Sequence, residues 1–331
     1  MTRTFQDALA QRPALDPQVR EFLIERARRG KASPHAIEPL AARSSFEDLQ
    51  STPAAQQRAQ IDDYVVDVGP TGKLPLRIFR PKDEGGTFPI VLYLHGGAWV
   101  AGNMFVYDRL LRDLAIGTQS AVVFVDYSPA PEASHHEQVE QAYAALDAVV
   151  RDAQGLGLDV TRIAVAGDCS GGNLAAVLTL LAKRRRGPEI ALQVLLYPIV
   201  ALPDEPVALA NQPAHADWFS NAALTARVRH AFPDEASLAD ITSFPANASC
   251  VELNDLPPAF IVVAEHDIVR DGAEEYARQL TEAGVTVTCI RYNGAIHDFM
   301  LINALCDSPA ARGAWVQVID ALHTTLHEAT I

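Results

Sequence analysis

The run Ile163-Ala164-Val165-Ala166-Gly167-Asp168-Cys169-Ser170-Gly171-Gly172-Asn173-Leu174-Ala175 constrains this chain more than any other stretch. It starts as an apolar, strand-type segment, breaks at a glycine-rich corner and continues to Leu181 as a helix rich in alanine and leucine. Gly167 and Gly171, two residues either side of Cys169, let the backbone bend tightly without a Cβ clash. The central side chain is then pushed out over the positive end of the following helix, a place that favours a thiolate or a developing oxyanion. Taken alone, such a corner could simply pack a helix on a strand or cradle a phosphate. It matches neither G-x-x-x-x-G-K-[ST] nor G-x-G-x-x-G, which sets a nucleotide site aside.

The flanking sequence repeats the same alternation. Phe88 to Leu94, Ala121 to Val125, Ala191 to Tyr197 and Ala259 to Ala264 are nearly continuous apolar runs, as expected of strands buried on both faces. Tyr64–Val68 and Leu74–Phe79 flank Gly69-Pro70-Thr71-Gly72, a strong turn signal, and Pro75 points to an edge strand. Helical stretches are expected over Tyr107–Ile116, Glu137–Asp152, Gly272–Ala283 and Ala310–Glu328, with a last strand from Val285 to Tyr292. Strands and helices in alternation imply an α/β fold with a mainly parallel central sheet covered on both faces.

Two segments break the pattern. Residues 1–60 read as amphipathic helices, with Val19, Phe22, Leu23 and Ala27 at helical spacing. Residues 203–252 form an insertion rich in Ala, Pro and Asn that carries Trp218, Phe219, Phe232 and Phe244, aromatics that are costly to leave in a solvated loop. These two segments are expected to fold together as a helical cap, leaving residues 61–202 and 253–331 as the two parts of the core.

Charge narrows the partners. A formal net charge of -14 disfavours nucleic acid and anionic membranes. No stretch reaches the ~18 apolar residues of a membrane span, and Met1–Arg12 has no apolar signal core. Cys169, Cys250, Cys289 and Cys306 lie far apart without zinc-type spacing, so reduced thiols in a cytoplasmic protein are expected, the last three as buried, inert side chains. His323 and His327, four apart near the end of the chain, lack the H-E-x-x-H pattern and read as a solvated helix face. No metal site and no cofactor are expected.

A nucleophile at position 169 needs a base, and the base needs an orienting acid. Asp267 follows the strand ending at Ala264, and His297 follows the strand ending at Tyr292, both at carboxyl ends where open parallel sheets place their sites. Together with Cys169 they form the candidate catalytic set, in the chain order nucleophile, acid, histidine. His95-Gly96-Gly97-Ala98-Trp99 follows the third strand, and its small residues let main-chain N–H groups approach a carbonyl oxygen. Gly96, Gly97, Ala98 and Ser170 are the candidate oxyanion donors; Trp99, Trp218 and Phe219 are candidate pocket residues.

These motifs, with Val125-Asp126-Tyr127, Ala130-Pro131-Glu132, Asp255-Leu256-Pro257-Pro258-Ala259 and His297-Asp298-Phe299, resemble the hormone-sensitive-lipase-like esterases of the α/β-hydrolase superfamily, over residues 60 to about 325. The resemblance implies a helical cap over the site, short or medium acyl ester substrates, no cofactor, and homodimers as a common assembly. Three positions depart from the pattern. Ala98 stands where a third glycine is usual. Ser128-Pro129 replaces Arg-Leu ahead of Ala130-Pro131-Glu132, which predicts that Glu132 loses its arginine partner. Cys169 occupies the position of serine.

A cysteine there gives a thioester acyl-enzyme, and sulfur, being larger than oxygen, is held off line in a site shaped for serine. Two origins fit the sequence: a cysteine native to the mechanism, or a replaced serine. Ester hydrolysis is the expected outcome, acyl transfer from an ester or other acyl donor to another acceptor is the alternative, and a non-catalytic small-molecule receptor is the reading from another class.

Overall fold

The computed structural model describes residues 15–31, 33–36, 38–82, 86–203 and 218–328. Its strands are β1 (Gln60–Val66), β2 (Leu74–Arg80), β3 (Phe88–Leu94), β4 (Ala121–Val125), β5 (Leu158–Asp168), β6 (Leu192–Leu196), β7 (Ala259–His266) and β8 (Val287–Ile296). They form one sheet in the order β1-β2-β4-β3-β5-β6-β7-β8. The first two pairings, β1 with β2 and β2 with β4, are antiparallel, and the rest are parallel.

Alternation along β3 explains the two-sided core. Ile90, Leu92 and Leu94 enter one cluster with Leu174, Leu178, Tyr276 and Leu280, while Val91 and Tyr93 enter the other with Leu110, Leu114, Val318 and Leu322. The first cluster is roofed by α4 (His135–Leu156), α5 (Cys169–Arg185) and α8 (Arg270–Glu282), the second by α3 (Met104–Thr118) and α9 (Pro309–His327). Lys183 and Arg185, in the basic run that ends α5, are taken up locally: Lys183 Nζ donates to the Asn254 carbonyl and Arg185 pairs with Glu140.

Three expectations need correction. Pro75 is not on an edge strand, because β2 lies between β1 and β4. The Pro75 carbonyl accepts from Asp126 N–H just past the end of β4, and a strand residue presents its N and O to the same neighbour, so the missing proline donor falls beyond the ladder. The first strand begins earlier than its apolar residues suggest, at Gln60, because Arg80 and Arg77 on β2 pair with Asp62 and Asp63 across the ladder, at 2.5 and 2.6 Å. The last strand runs through Asn293-Gly294 to Ile296 instead of ending at Tyr292, since β7 continues past a bulge to pair His266 with Ile296. That extension delivers His297 to the end of the sheet.

The amino-terminal segment, with α1 (Pro17–Arg28) and α2 (Pro39–Leu49), meets the later insertion, whose α6 spans Asn221–Ala231 and which is followed by the short α7 (Cys250–Leu253). Ser33 Oγ donates to the Trp218 carbonyl, Arg227 donates to Pro34 O at 2.6 Å, and the Phe22 and Trp218 rings meet edge-on at 5.4 Å. Residues 204–217 of the expected insertion lie outside the described residues.

Candidate active site

Cys169 sits where β5 ends and α5 begins, with φ of 52° and no exposed surface. A non-glycine residue in this left-handed region costs on the order of 1–2 kcal/mol, and such strain is concentrated at functional positions. The corner closes this tightly because a Cβ on Gly171 would overlap the Leu94 and His95 carbonyls. As the first residue of α5, Cys169 lies at the helix end whose N–H groups have no intrahelical acceptor.

Asp267 and His297 come from the loops after β7 and β8. His297 Nδ1 lies 2.6 Å from Asp267 Oδ2, and both side chains are fully buried. Burial pushes the imidazole toward neutrality, but Asp267, Cys169 and Asp298 together raise its pKa well above the usual value. His297 Nε2 is buried with no hydrogen-bond partner among the described residues, and Asp298 Oδ1 stands 3.6 Å from it.

The His95–Trp99 loop is wired to the corner through Asp168. Tyr93 and Tyr107 donate to the Asp168 carboxylate at 2.9 and 2.8 Å. Gly96 N–H is spent on the Tyr107 hydroxyl at 2.8 Å and Asp168 Oδ1 at 3.0 Å, so it is not a free oxyanion donor as the sequence suggested. The Gly97 and Ala98 N–H groups have no acceptor among the described residues. Ser170 Oγ accepts from Trp99 N–H at 3.0 Å, fixing the loop against α5. Burial, aided by the charge of Asp298, pushes the Asp168 pKa up to about 7, while its three donors oppose the shift.

Asp168→Asn would turn an amide N–H toward groups that already donate, at a cost of roughly 1–3 kcal/mol. The expected result is a melting temperature lower by several degrees and a kcat loss that outweighs any change in KM. Unchanged kcat would show that the loop holds its shape without this carboxylate.

The three aromatic candidates separate. Phe219 lies directly on His297, with ring centroids 4.6 Å apart. Trp218 holds the same residue from behind, its Nε1 donating to the His297 carbonyl at 2.9 Å. Trp99 is buried in an aromatic cluster with Phe232 at 5.2 Å and His135 at 5.9 Å, which gives it a packing role. Sequence reasoning missed His35, whose Nε2 is 2.7 Å from Asp298 Oδ2 and whose ring packs 4.4 Å from Phe219. Nothing local to Pro34-His35 signals that contact. Asp298 was visible only as part of the His297-Asp298-Phe299 motif; its φ of 64° suits an aspartate.

Glu132 does have an arginine. Arg43 on α2 makes a bidentate pair with it, at 2.9 and 2.6 Å, and also donates to the Ala130 and Val100 carbonyls. The partner therefore comes from the amino-terminal segment instead of the neighbouring loop. The remaining thiols are not buried as expected: Cys250 and Cys289 are exposed and Cys306 is half-buried, with Cys289 turned outward on the edge strand β8. His323 is half-buried and His327 exposed, in keeping with a partly solvated helix face, and both also reach the Thr118 carbonyl, at 3.2 and 2.9 Å.

Residues 91–301 match the family described as the alpha/beta hydrolase fold. The chain is 34% identical over 290 residues to a carboxylesterase of Mycobacterium tuberculosis, covering 86% of this chain and 89% of that relative. It is 31% identical over 329 residues to an ethyl acetate hydrolase of Pseudomonas putida, covering 95% of this chain and 100% of that relative. Among solved structures, a thermostable esterase from Pseudomonas putida ECU1011 superposes with a TM-score of 0.91 at 32% identity, over 96% of this chain and 99% of that one. With most of its length matched and its parallel sheet turning the corner at Cys169, this chain belongs to the α/β-hydrolase fold family.

Proposed function

We propose that the chain hydrolyses short or medium acyl esters through a covalent acyl-enzyme on Cys169. One observation carries the reading: the only cysteine of the described residues with a left-handed backbone stands at the strand-to-helix corner, electrostatically coupled to a histidine already paired with Asp267. The names of the esterase relatives support the ester-hydrolysis part of the reading. No helix among the described residues is long and apolar enough to cross a membrane.

The Cys169 thiolate attacks the ester carbonyl, and the C–S bond forms as the carbonyl electrons move to oxygen. The N–H groups of Gly97, Ala98 and Ser170 receive that oxyanion. Collapse expels the alcohol, which takes the proton of the His297 imidazolium. Neutral His297 then removes a proton from water as it attacks the thioester, and the acid leaves with thiolate and imidazolium restored. Acyl transfer would use the same intermediate, with an alcohol, amine or thiol in place of water.

Acid quenching during turnover of p-nitrophenyl acetate, followed by peptide mass analysis, tests the reading. An acetyl group on the Cys169 peptide is expected. Sustained turnover with no acyl group on Cys169, or with one on another residue, overturns it.

A further inference from the structure

His297 is faced by charged and titratable groups from several elements. Asp267 follows β7, Cys169 opens α5, Asp298 follows β8, and His35 comes from the turn Pro34–Ala36 of the amino-terminal segment. The rings of Tyr197, after β6, and Phe219 lie 5.0 and 4.6 Å from the His297 ring, centroid to centroid. Arg227 on α6 adds a positive charge toward Asp298.

The two oxygens of Asp298 are held differently. His35 Nε2 lies 2.7 Å from Oδ2, whereas Oδ1 stands 3.6 Å from His297 Nε2, beyond hydrogen-bond reach. An ionised carboxylate only accepts, so His35 Nε2 carries the proton of its bond. The opposite nitrogen, His35 Nδ1, is buried without a partner among the described residues, as befits the bare nitrogen of a neutral ring. Burial keeps His35 below the usual imidazole range, against the pull of Asp298. Burial also opposes the charge on Asp298, but His297, His35 and Arg227 hold its carboxyl below the usual range.

His35 is itself clamped. Its main-chain N–H donates to Ser33 Oγ at 3.2 Å, Ser33 Oγ donates to the Trp218 carbonyl, and Trp218 Nε1 donates to the His297 carbonyl at 2.9 Å. Phe46 meets the His35 ring edge-on at 5.2 Å, and Phe219 covers it at 4.4 Å. This circuit ends on His297, so the place of His35 relative to that residue is fixed on both sides.

We propose that His35 is a positioning residue: it holds Asp298 at a standoff from His297 Nε2, near enough to favour the charged ring and too far to take the proton that the leaving alcohol needs. The consequence for turnover rests on the proposed role of His297 as base; the effect on the ionisation of His297 does not. An opposite charge this close favours the charged form. Removing the charge of Asp298 therefore lets the ring lose its proton at lower pH. Removing the His35 donor does the reverse, because the freed carboxylate closes the 3.6 Å gap and accepts from Nε2. That contact strengthens the charged ring while occupying the proton it should deliver.

The test is a pH titration of the histidine ring nitrogens by NMR in the isotope-labelled full chain. A Cys169→Ala background makes the midpoint that of the ring and not of a thiol–imidazole pair. The His297 signals are identified by their loss in His297→Gln. Asp298→Asn suits the left-handed backbone at this position and still accepts from His35; it should lower the His297 midpoint by about one pH unit or more. His35→Phe should raise it, with His35→Leu as the companion if melting curves show that phenylalanine overfills the site. With Cys169 in place, the Asp298 and His35 variants should each lower kcat for p-nitrophenyl butyrate by about tenfold, the rate equivalent of one pH unit, with little change in KM. A midpoint unmoved in Asp298→Asn, or not raised by the loss of the His35 donor, overturns the assignment whatever the turnover, since damaged packing alone does not move one midpoint in opposite directions. If both midpoints move as expected while turnover is unmoved, the role of His297 as base falls and the held carboxylate stands.

Discussion

Replacing His297 by alanine is expected to lower p-nitrophenyl butyrate turnover by on the order of 10⁴-fold. In the proposed mechanism the Cys169 sulfur loses its imidazole partner, the departing alkoxide loses its proton donor, and water loses the base that activates it against the acyl-enzyme. The variant also leaves Asp267 as an uncompensated buried carboxylate, which destabilises the fold by a few kcal/mol. His297→Gln is the companion variant, since its amide N–H can still reach Asp267; it should fold more stably and be nearly as slow. A rate within tenfold of the unaltered protein in both would take His297 out of the chemistry and favour a small-molecule receptor.

Cys169→Ser is expected to reduce hydrolysis at neutral pH by roughly 100-fold or more, the lower end of what a positioned general base contributes. His297 has a carboxylate on each side: Asp267 on Nδ1, and Asp298 3.6 Å from Nε2. Together with Cys169 they raise its pKa against the pull of burial. A thiolate is complemented by the charged ring that results. A serine hydroxyl instead needs a neutral ring to take its proton. In the serine variant the charge of Cys169 is gone, but Asp267 and Asp298 still favour the charged ring, and the neutral fraction grows with pH, so the variant should recover activity in alkaline solution. A steep gain at neutral pH would be the opposite result, and would mean that the site is shaped for oxygen.

Cys169 and its glycines could be read from the sequence because a tight corner is a local steric demand: no side chain fits at Gly171 against the Leu94 and His95 carbonyls. Asp267 and His297 were legible for a related reason, since apolar strands announce their own ends and parallel sheets place sites there. Gly96 shows the limit of that logic. Its place in the loop was evident, but whether its N–H stays free depends on Tyr107 and Asp168, which only the folded chain brings to it. Pro75 and Asn293-Gly294 misled for a similar reason, because strand extent and edge position belong to the pairing of whole strands rather than to single residues.

The sequence by itself determined the alternation of strands and helices, the corner at Cys169 and the order of the three candidate catalytic residues, because each follows from backbone sterics or from the period of apolar residues. Only the tertiary structure decided what surrounds His297. Phe219, His35 and Asp298 reach it from the insertion, the amino-terminal segment and the last strand loop, and Arg43 reaches Glu132 from α2 in the same way. Contacts between segments so distant along the chain are selected by packing, and no local pattern in any one segment encodes its partner.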